Sequence, residues 1–181
     1  MNNDAAKTFL SIILIGLLFA GCRELSFETP QPRGKKALSS IPKELHGRFL
    51  FAEEGDTLII DASGYRYVPN NTGDESGGEH LGDSLIVKRY KKHYFFNHLA
   101  SGDWELGILK PERNGDVVFM TFQSRNERFN DYITRLSTEI DIDSVVVNEE
   151  MRYRIDPSPS ELMDLIRKGY TTEIRLVRIP D

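Results

Sequence analysis

Short apolar runs separated by turn residues recur along the middle of the chain, and within them apolar and polar side chains tend to alternate. This alternation is typical of β-strands with one buried face, and the regular spacing of the runs favours an antiparallel meander. Asn114-Gly115, between two of these runs, is a strong hairpin signal. The strands predicted in this region are 45–52, 57–61, 65–68, 84–90, 93–99, 104–110 and 116–123.

The period of the apolar residues changes after residue 125. Four of them follow the i, i+3, i+4, i+7 spacing of one helical face: Phe129, Tyr132, Ile133 and Leu136. This spacing predicts a short helix over 126–137. Strand character then returns at 145–147 and 151–155.

A second helix has the clearest local signal in the chain. Ser158, Pro159 and Glu161 form the start of a capping box, and Gly169 supplies a stop. A last strand follows at 172–179. About nine strands, two short helices and no alternation of strands with helices predict a mainly β domain, an antiparallel meander that forms a barrel or a strongly curved sheet. The last strand is expected to pair with the strand at 45–52, because pairing covers exposed edges.

The N-terminal region has a different pattern. Phe9 to Ala20 is an uninterrupted apolar run that is too short for a stable transmembrane helix and has the length of a secretory signal core, with Lys7 before it. The run leads into Leu18-Phe19-Ala20-Gly21-Cys22, which resembles the lipobox of bacterial lipoproteins, although Phe19 stands where that motif usually has Leu.

This resemblance implies that Cys22 carries a lipid anchor, including palmitate, and becomes the mature N-terminus. The chain also resembles small Bacteroidetes lipoproteins of uncharacterised function. Because Arg23, and not Asp, follows the cysteine, the resemblance implies a protein anchored in the outer membrane. Two or three acyl chains make a stable anchor without any transmembrane helix.

Residues 22–40 are rich in proline, glycine and polar side chains and show no apolar period. They predict a flexible tether. The expected organisation is therefore a signal peptide at 1–21, a tether at 22–40 and a single β-rich domain at 41–181. Cys22 is the sole cysteine, so no disulfide is expected.

Charge narrows the choice of partners. The formal net charge is -5, and no predicted face concentrates lysine and arginine. Nucleic acid is therefore not an expected partner, because its phosphates require a basic surface. The expected partners are the membrane, through Cys22, and a small hydrophobic ligand or an envelope protein.

Gly82-Asp83-Ser84-Leu85 resembles the motif of the GDSL esterases and lipases. In those enzymes the serine follows a buried parallel strand and begins a helix, whereas here a polar loop precedes Ser84 and a strand follows it. That family also supplies its base from an Asp-x-x-His motif near the C-terminus, and this chain has no histidine after His98. We therefore expect no enzyme activity, and catalysis by Ser84 is a remote alternative.

Three Asp-Ser/Thr-apolar triplets resemble the O-glycosylation site of Bacteroidetes envelope proteins. They make Thr57, Ser84 and Ser144 candidate O-glycosylation sites. The same triplets are also a common way for a strand to begin, and the sequence leaves both interpretations open.

Aromatic residues crowd the central meander, and three of them are candidates for lining a ligand cavity: Tyr94, Phe96 and Trp104. Ordinary core packing is the alternative explanation. Leu45-His46-Gly47-Arg48-Phe49 resembles the start of the first lipocalin strand, and a helix before the last strand is also lipocalin-like; this resemblance implies a barrel with an interior cavity.

Metal ligands are not grouped along the chain. His93 and His98 are an odd number of residues apart in one predicted strand, so their side chains are expected on opposite faces. Asp141 and Asp143 form a common acidic pattern that favours a solvated edge over a calcium site. No metal or other cofactor is expected.

Overall fold

The computed structural model describes residues 25–71, 77–122, 128–147 and 150–180. In these ranges a single mixed sheet contains twelve strands, and two α-helices pack beside it. The strands are β1 Leu25–Phe27, β2 Gly47–Phe51, β3 Thr57–Ile60, β4 Gly64–Val68, β5 Gly78–His80, β6 Leu85–Tyr90, β7 His93–Ala100, β8 Asp103–Pro111, β9 Val117–Thr121, β10 Asp143–Val147, β11 Glu150–Ile155 and β12 Thr172–Ile179. The helices are α1 Phe129–Leu136 and α2 Pro159–Arg167, and a 3₁₀ turn spans Lys43–Leu45. Neither helix is long and apolar enough to cross a membrane.

The sheet divides at β8. One edge of β8 pairs with β7, whereas its other edge pairs first with β1, at Trp104, and then with β9. Two parts result, which we call the nine-strand part (order β6-β7-β8-β9-β12-β2-β3-β4-β5) and the three-strand part (order β10-β11-β1). The expected pairing of the last strand is confirmed, since β12 pairs with β2.

The mainly β prediction is confirmed, but the strand count and the barrel are wrong. In the described residues the end strands β5 and β6 do not pair with each other, so the sheet is not closed into a barrel. Two three-residue strands, β1 and β5, escaped the sequence pattern for different reasons. β1 (Leu-Ser-Phe) is too short to establish a period and lies in a polar, proline-containing stretch, and β5 (Gly-Glu-His) has no apolar residue.

The predicted tether is wrong from Leu25 onward, because the chain is already part of the sheet there. β1 lies between β8 and β11, and its pairing with β11 is parallel. Further along, Gln31 N donates to Asn97 Oδ1 at 2.5 Å, and Asn97 Nδ2 donates back to Gln31 O at 2.9 Å. The domain therefore begins at least sixteen residues earlier than the expected boundary at residue 41.

A buried lysine also holds this N-terminal segment. Lys88 Nζ donates to Pro30 O at 2.5 Å and to Pro32 O at 3.3 Å. Burial lowers the pKa of Lys88 from its ordinary value. A buried polar network with partners on both sides fixes the segment to β6 and β7, because leaving any member unpaired is costly.

The buried apolar side chains form two clusters. The first cluster lies where the helices meet β1, β8, β9 and β11, and it includes Phe27, Tyr132 and Leu162. The second cluster lies in the nine-strand part and includes Phe49 of β2 and Val87 of β6. These two strands are far apart in the pairing order, so their packing together requires the sheet to curve.

Candidate functional site

The candidate site is a surface cleft of about 440 Å³ between the end of α1, strands β10 and β11, and the start of α2. Local sequence creates its walls: α1 ends at Leu136 and turns through residues 137–140, while Ser158 caps α2 opposite. Glu161 N donates to Ser158 Oγ at 3.3 Å and Ser158 N donates to Glu161 Oε2 at 2.8 Å, which confirms the predicted capping box. Six carboxylates line the cleft: Glu28, Glu139, Asp141, Asp143, Asp156 and Glu161.

Three of these carboxylates are already paired. Glu139 forms an ion pair with Lys168, Asp156 with Arg33, and hydrogen bonds from Ser158 lower the pKa of Glu161. The remaining three, Glu28, Asp141 and Asp143, form no ion pair with any residue that the structure describes. The cleft is therefore negatively charged overall.

Among the described residues one cation lines the cleft, and a residue outside the cleft neutralises it. Arg154 Nη2 lies 2.6 Å from Asp103 Oδ1, and the Asp103 side chain is almost fully buried. Within the described ranges no group of three histidine, cysteine or carboxylate side chains is placed to hold a metal ion. The arrangement instead suits a positively charged group offered by another molecule.

A second polar cluster joins β7 to β4 and β5, two strands with which β7 does not pair in the described sheet. His98 of β7 has its Nδ1 3.2 Å from Glu79 Oε2 of β5 and 3.4 Å from Tyr65 Oη of β4. The rings of Tyr65 and His98 meet edge to face at 5.5 Å between centroids. Burial and the neighbouring carboxylates of Glu79 and Glu105 raise the pKa of Tyr65. These contacts hold β4 and β5 against β7 where no backbone ladder does so.

Glu105 lies opposite His98 in the β7–β8 ladder. Burial raises the pKa of Glu105, while the positive charges of His98 and Arg152 oppose the increase. The cluster thus contains a histidine between two carboxylates, and the hydroxyl beside that histidine is the Tyr65 phenol, whose raised pKa disfavours the nucleophilic phenolate. Its evident role is to link strands.

A serine and a histidine that the sequence analysis did not single out also come together. Ser63 Oγ lies 3.4 Å from His80 Nδ1 and 2.7 Å from Asp61 Oδ1. In a catalytic triad the carboxylate orients the histidine, whereas here Asp61 accepts the Ser63 hydroxyl and two backbone N–H groups. Those hydrogen bonds from Ser63 lower the pKa of Asp61 and build the β3–β4 turn.

In the part of the chain that the structure describes, no hydrogen bond joins the serine of the GDSL-like motif to a histidine. Ser84 is exposed in the turn before β6, and its backbone carbonyl accepts a hydrogen bond from Leu99 N. The nitrogens of His46, His80 and His98 instead face Ile41 O, Ser63 and Glu79, respectively. The fourth histidine, His93, packs on Phe95, with its Nδ1 buried and without a hydrogen-bond partner in the described residues.

The three predicted O-glycosylation sites differ in solvent exposure. Ser84 and Ser144 are exposed, whereas Thr57, at the start of β3, is 9% exposed. An enzyme that glycosylates the folded domain would therefore reach Ser84 and Ser144 more readily than Thr57. Cys22 lies outside the described residues.

The three aromatic residues predicted to line a cavity are separated by the fold. Tyr94 and Phe96 are 0% and 5% exposed and belong to the second cluster, whereas Trp104 packs against the first. Tyr94 Oη donates to a Glu44 carboxylate oxygen, and burial together with this bond raises the Tyr94 pKa to about 12. His93 contacts Phe95 of the first cluster, whereas His98 contacts Tyr65, which packs against the second, so the two histidines lie on opposite faces as their odd separation predicted.

The functional residues that sequence reasoning missed are those of the cleft. Glu28 belongs to the predicted tether, Glu161 was assigned only to the helix cap, and Asp141 and Asp143 suggested only a solvated edge. Their proximity arises from the β1–β11 pairing, for which the sequence offers no local signal. No family model, curated protein or solved structure matches the chain.

Proposed function

We propose that this protein is a lipid-anchored component of the bacterial outer membrane whose β-rich domain is a non-catalytic module that binds an envelope protein. The proposed anchor is Cys22, which follows the apolar run from Phe9 to Ala20. The proposed binding site is the acidic cleft.

The observation that carries the partner assignment is the presence in one cleft of three carboxylates that form no ion pair with the described residues. Glu28, Asp141 and Asp143 have like charge, and a lysine or arginine from a partner complements them. The volume of about 440 Å³ accommodates a few side chains of a partner segment. The favoured partner is thus an envelope protein with an exposed basic segment.

A small apolar ligand is less well supported. Tyr94 and Phe96 are packed inside the second cluster, so a ligand would have to displace core side chains to reach them. Such displacement forfeits the packing that stabilises the core. The cleft itself is lined mainly by polar groups, and an apolar ligand would leave them without water or hydrogen-bond partners.

Photo-crosslinking in cells tests the binding site. A photoreactive side chain at Thr138, which lines the cleft, is expected to capture a discrete partner. Because the attraction is between charges, the double variant Asp141→Asn/Asp143→Asn is expected to reduce the captured product about tenfold. The matched control position is Arg113, exposed in the β8–β9 turn, which is expected to capture nothing. Capture that is unchanged in the double variant, or equal from both positions, contradicts the proposal.

The same cells test the anchor. Cys22→Ser is expected to abolish incorporation of labelled palmitate and to release the domain from the membrane fraction. Incorporation that is unchanged in Cys22→Ser refutes lipidation at this residue. The Thr138 crosslink is then scored in the released protein, so the anchor and the cleft are judged separately.

A further inference from the structure

One face of β11 carries apolar side chains out of the core and into solvent. Residues 151, 153 and 155 share this face because alternate residues of a strand point the same way. Ile155 is 1% exposed, Tyr153 packs against the first cluster, and Met151 is 53% exposed. Val146, which is 71% exposed, lies opposite Met151 in the β10–β11 ladder. We call Val146 and Met151 the exposed pair.

The exposed pair lies beyond the N-terminal end of β1. β1 runs parallel to β11, with Leu25 in register with Tyr153. Moving back along the chain from Leu25 therefore leads in the same direction as moving from Tyr153 to Met151. At 3.3 Å per residue, Met151 lies about 7 Å beyond the level of Leu25 in that direction.

The number of residues between Cys22 and Leu25 limits the distance between the proposed anchor and Leu25. Cys22 is three residues before Leu25, and three fully extended residues span at most about 11 Å. The apolar run that ends at Ala20 is five residues from Leu25, a span of at most about 18 Å. An anchor at Cys22 thus lies, even at full extension, only a few ångströms beyond the exposed pair. The membrane is the large apolar surface nearest to these side chains.

We propose that Val146 and Met151 contact the surface of the lipid bilayer and hold the domain in one orientation beside its anchor. This proposal rests on the proposed membrane anchoring at Cys22. β10 is an end strand of the described sheet, and the unpaired backbone groups of a sheet edge disfavour entry into hydrocarbon. The contact is therefore at the level of the lipid head groups.

A second copy of the chain is the competing occupant. β10 is an end strand of the described sheet, and an end strand has backbone groups free to pair with another strand. Dimerisation through β10 would also cover Val146. The position of the exposed pair next to the chain's arrival point favours the membrane, and the experiment below separates the two.

Fluorophores attached to single cysteines test the contact in the full-length, anchored protein in vesicles. Val146→Cys and Met151→Cys report on the exposed pair. The matched controls are Leu99→Cys and Val177→Cys, whose parent side chains are also partly exposed, at 43% and 37%. Leu99 lies level with Phe27, through Trp104, which is further from the chain's arrival point than Leu25. The parent protein serves as the blank, because an acylated Cys22 takes no label.

Lipids brominated near the head group are expected to quench the fluorophores at 146 and 151 at least about twofold, and to leave those at 99 and 177 unchanged. Equal quenching at all four positions, or none at 146 and 151, overturns the proposal. Energy transfer between copies labelled at 146, without quenching by lipid, also overturns it and assigns the surface to a dimer. Labelling of the parent protein at Cys22 instead refutes the anchor, so failure of the proposed function is recognised separately.

Discussion

The nine-strand part and the three-strand part of the sheet share the first apolar cluster, whereas the second lies in the nine-strand part, and the two parts are assembled in different ways. In the nine-strand part, β2 to β5 and β6 to β9 are two runs of antiparallel neighbours, each joined in chain order. In the three-strand part, β1 and β11 come from opposite ends of the domain sequence and pair in parallel. The regular part supplies most of the sheet, whereas the irregular part supplies the acidic cleft, the exposed pair and the point where the chain arrives.

Most of the sheet therefore lies in one part, whereas the proposed binding site borders the other. Hairpins made from neighbouring sequence tolerate change in distant segments, because their contacts are local. The cleft depends on three segments, around Glu28, Asp141 and Asp156, that only the β1–β11 pairing and the helices bring together. Substitutions in either cluster should therefore reveal whether the two parts unfold as one unit.

The largest expected effect comes from Phe27→Ala in the three-strand part, compared with Phe49→Ala in the nine-strand part. Both side chains are 0% exposed, so each substitution is expected to lower the free energy of unfolding by about 3–5 kcal/mol. Because β8 is shared by both parts, unfolding should be a single transition in both variants. Urea denaturation followed by circular dichroism and by the fluorescence of Trp104, the sole tryptophan, measures this.

Val177→Ala is the control for that pair, since this partly exposed side chain should change the free energy of unfolding by no more than about 0.5 kcal/mol. If Phe27→Ala gives two separate transitions, the three-strand part is an independent unit and the comparison drawn above must be revised.

An intermediate effect is expected at the helix that borders the cleft. Ser158→Ala removes the cap of α2 and should cost about 1 kcal/mol, measured by the same denaturation. Ser158→Asn keeps a capping side chain and should restore most of the loss. α1 has Arg128 at its N-cap and no side-chain cap hydrogen bond, so Arg128→Ser should stabilise the protein slightly. Equal stability of Ser158→Ala and Ser158→Asn would show that the capping box contributes nothing.

The smallest effect is expected at Glu105, in the cluster that holds β4 and β5 against β7. A carboxyl group whose pKa is raised by folding contributes its full stability below its unfolded pKa, and this contribution is lost as pH rises through the folded pKa. For Glu105 the loss begins above its ordinary value of 4.5. Glu105→Gln should therefore melt at a higher temperature than the parent at about pH 7, with little difference at about pH 4.

Glu173→Gln, at an exposed position of β12, should show no such dependence on pH. A Glu105→Gln variant that is less stable than the parent at neutral pH would mean that attraction to His98 and Arg152 outweighs the cost of burial.

Local signals account for the parts of the fold that were predicted. The strand at Thr172–Ile179 follows from alternation, its pairing with β2 from the need to cover exposed edges, and α2 from Ser158, Pro159 and Glu161. β1 could not be predicted, because the three residues Leu-Ser-Phe are too few to establish a period and the segment around them is polar. The parallel β1–β11 pairing leaves no turn signal either, since its partners are not joined by a hairpin.

The candidate site was harder to predict than the fold for the same reason. Short motifs directed attention to Ser84 and to Tyr94, Phe96 and Trp104, but chemistry depends on which side chains converge in space. Among the described residues no hydrogen bond joins Ser84 to a histidine, and the aromatic residues are separated between two clusters. The residues that do converge are common surface carboxylates, which carry no motif.

The pairing of β1 with β11 also sets the order of events when the protein is made. β1 leaves the ribosome well before its parallel partner, which is completed only at Ile155. At about 5–20 residues per second, β1 waits on the order of ten seconds for β11 to be synthesised. The hairpins of the nine-strand part can form during that interval, whereas the edge of β8 that receives β1 stays open. The parallel pairing of β1 is therefore among the last parts of the sheet to form.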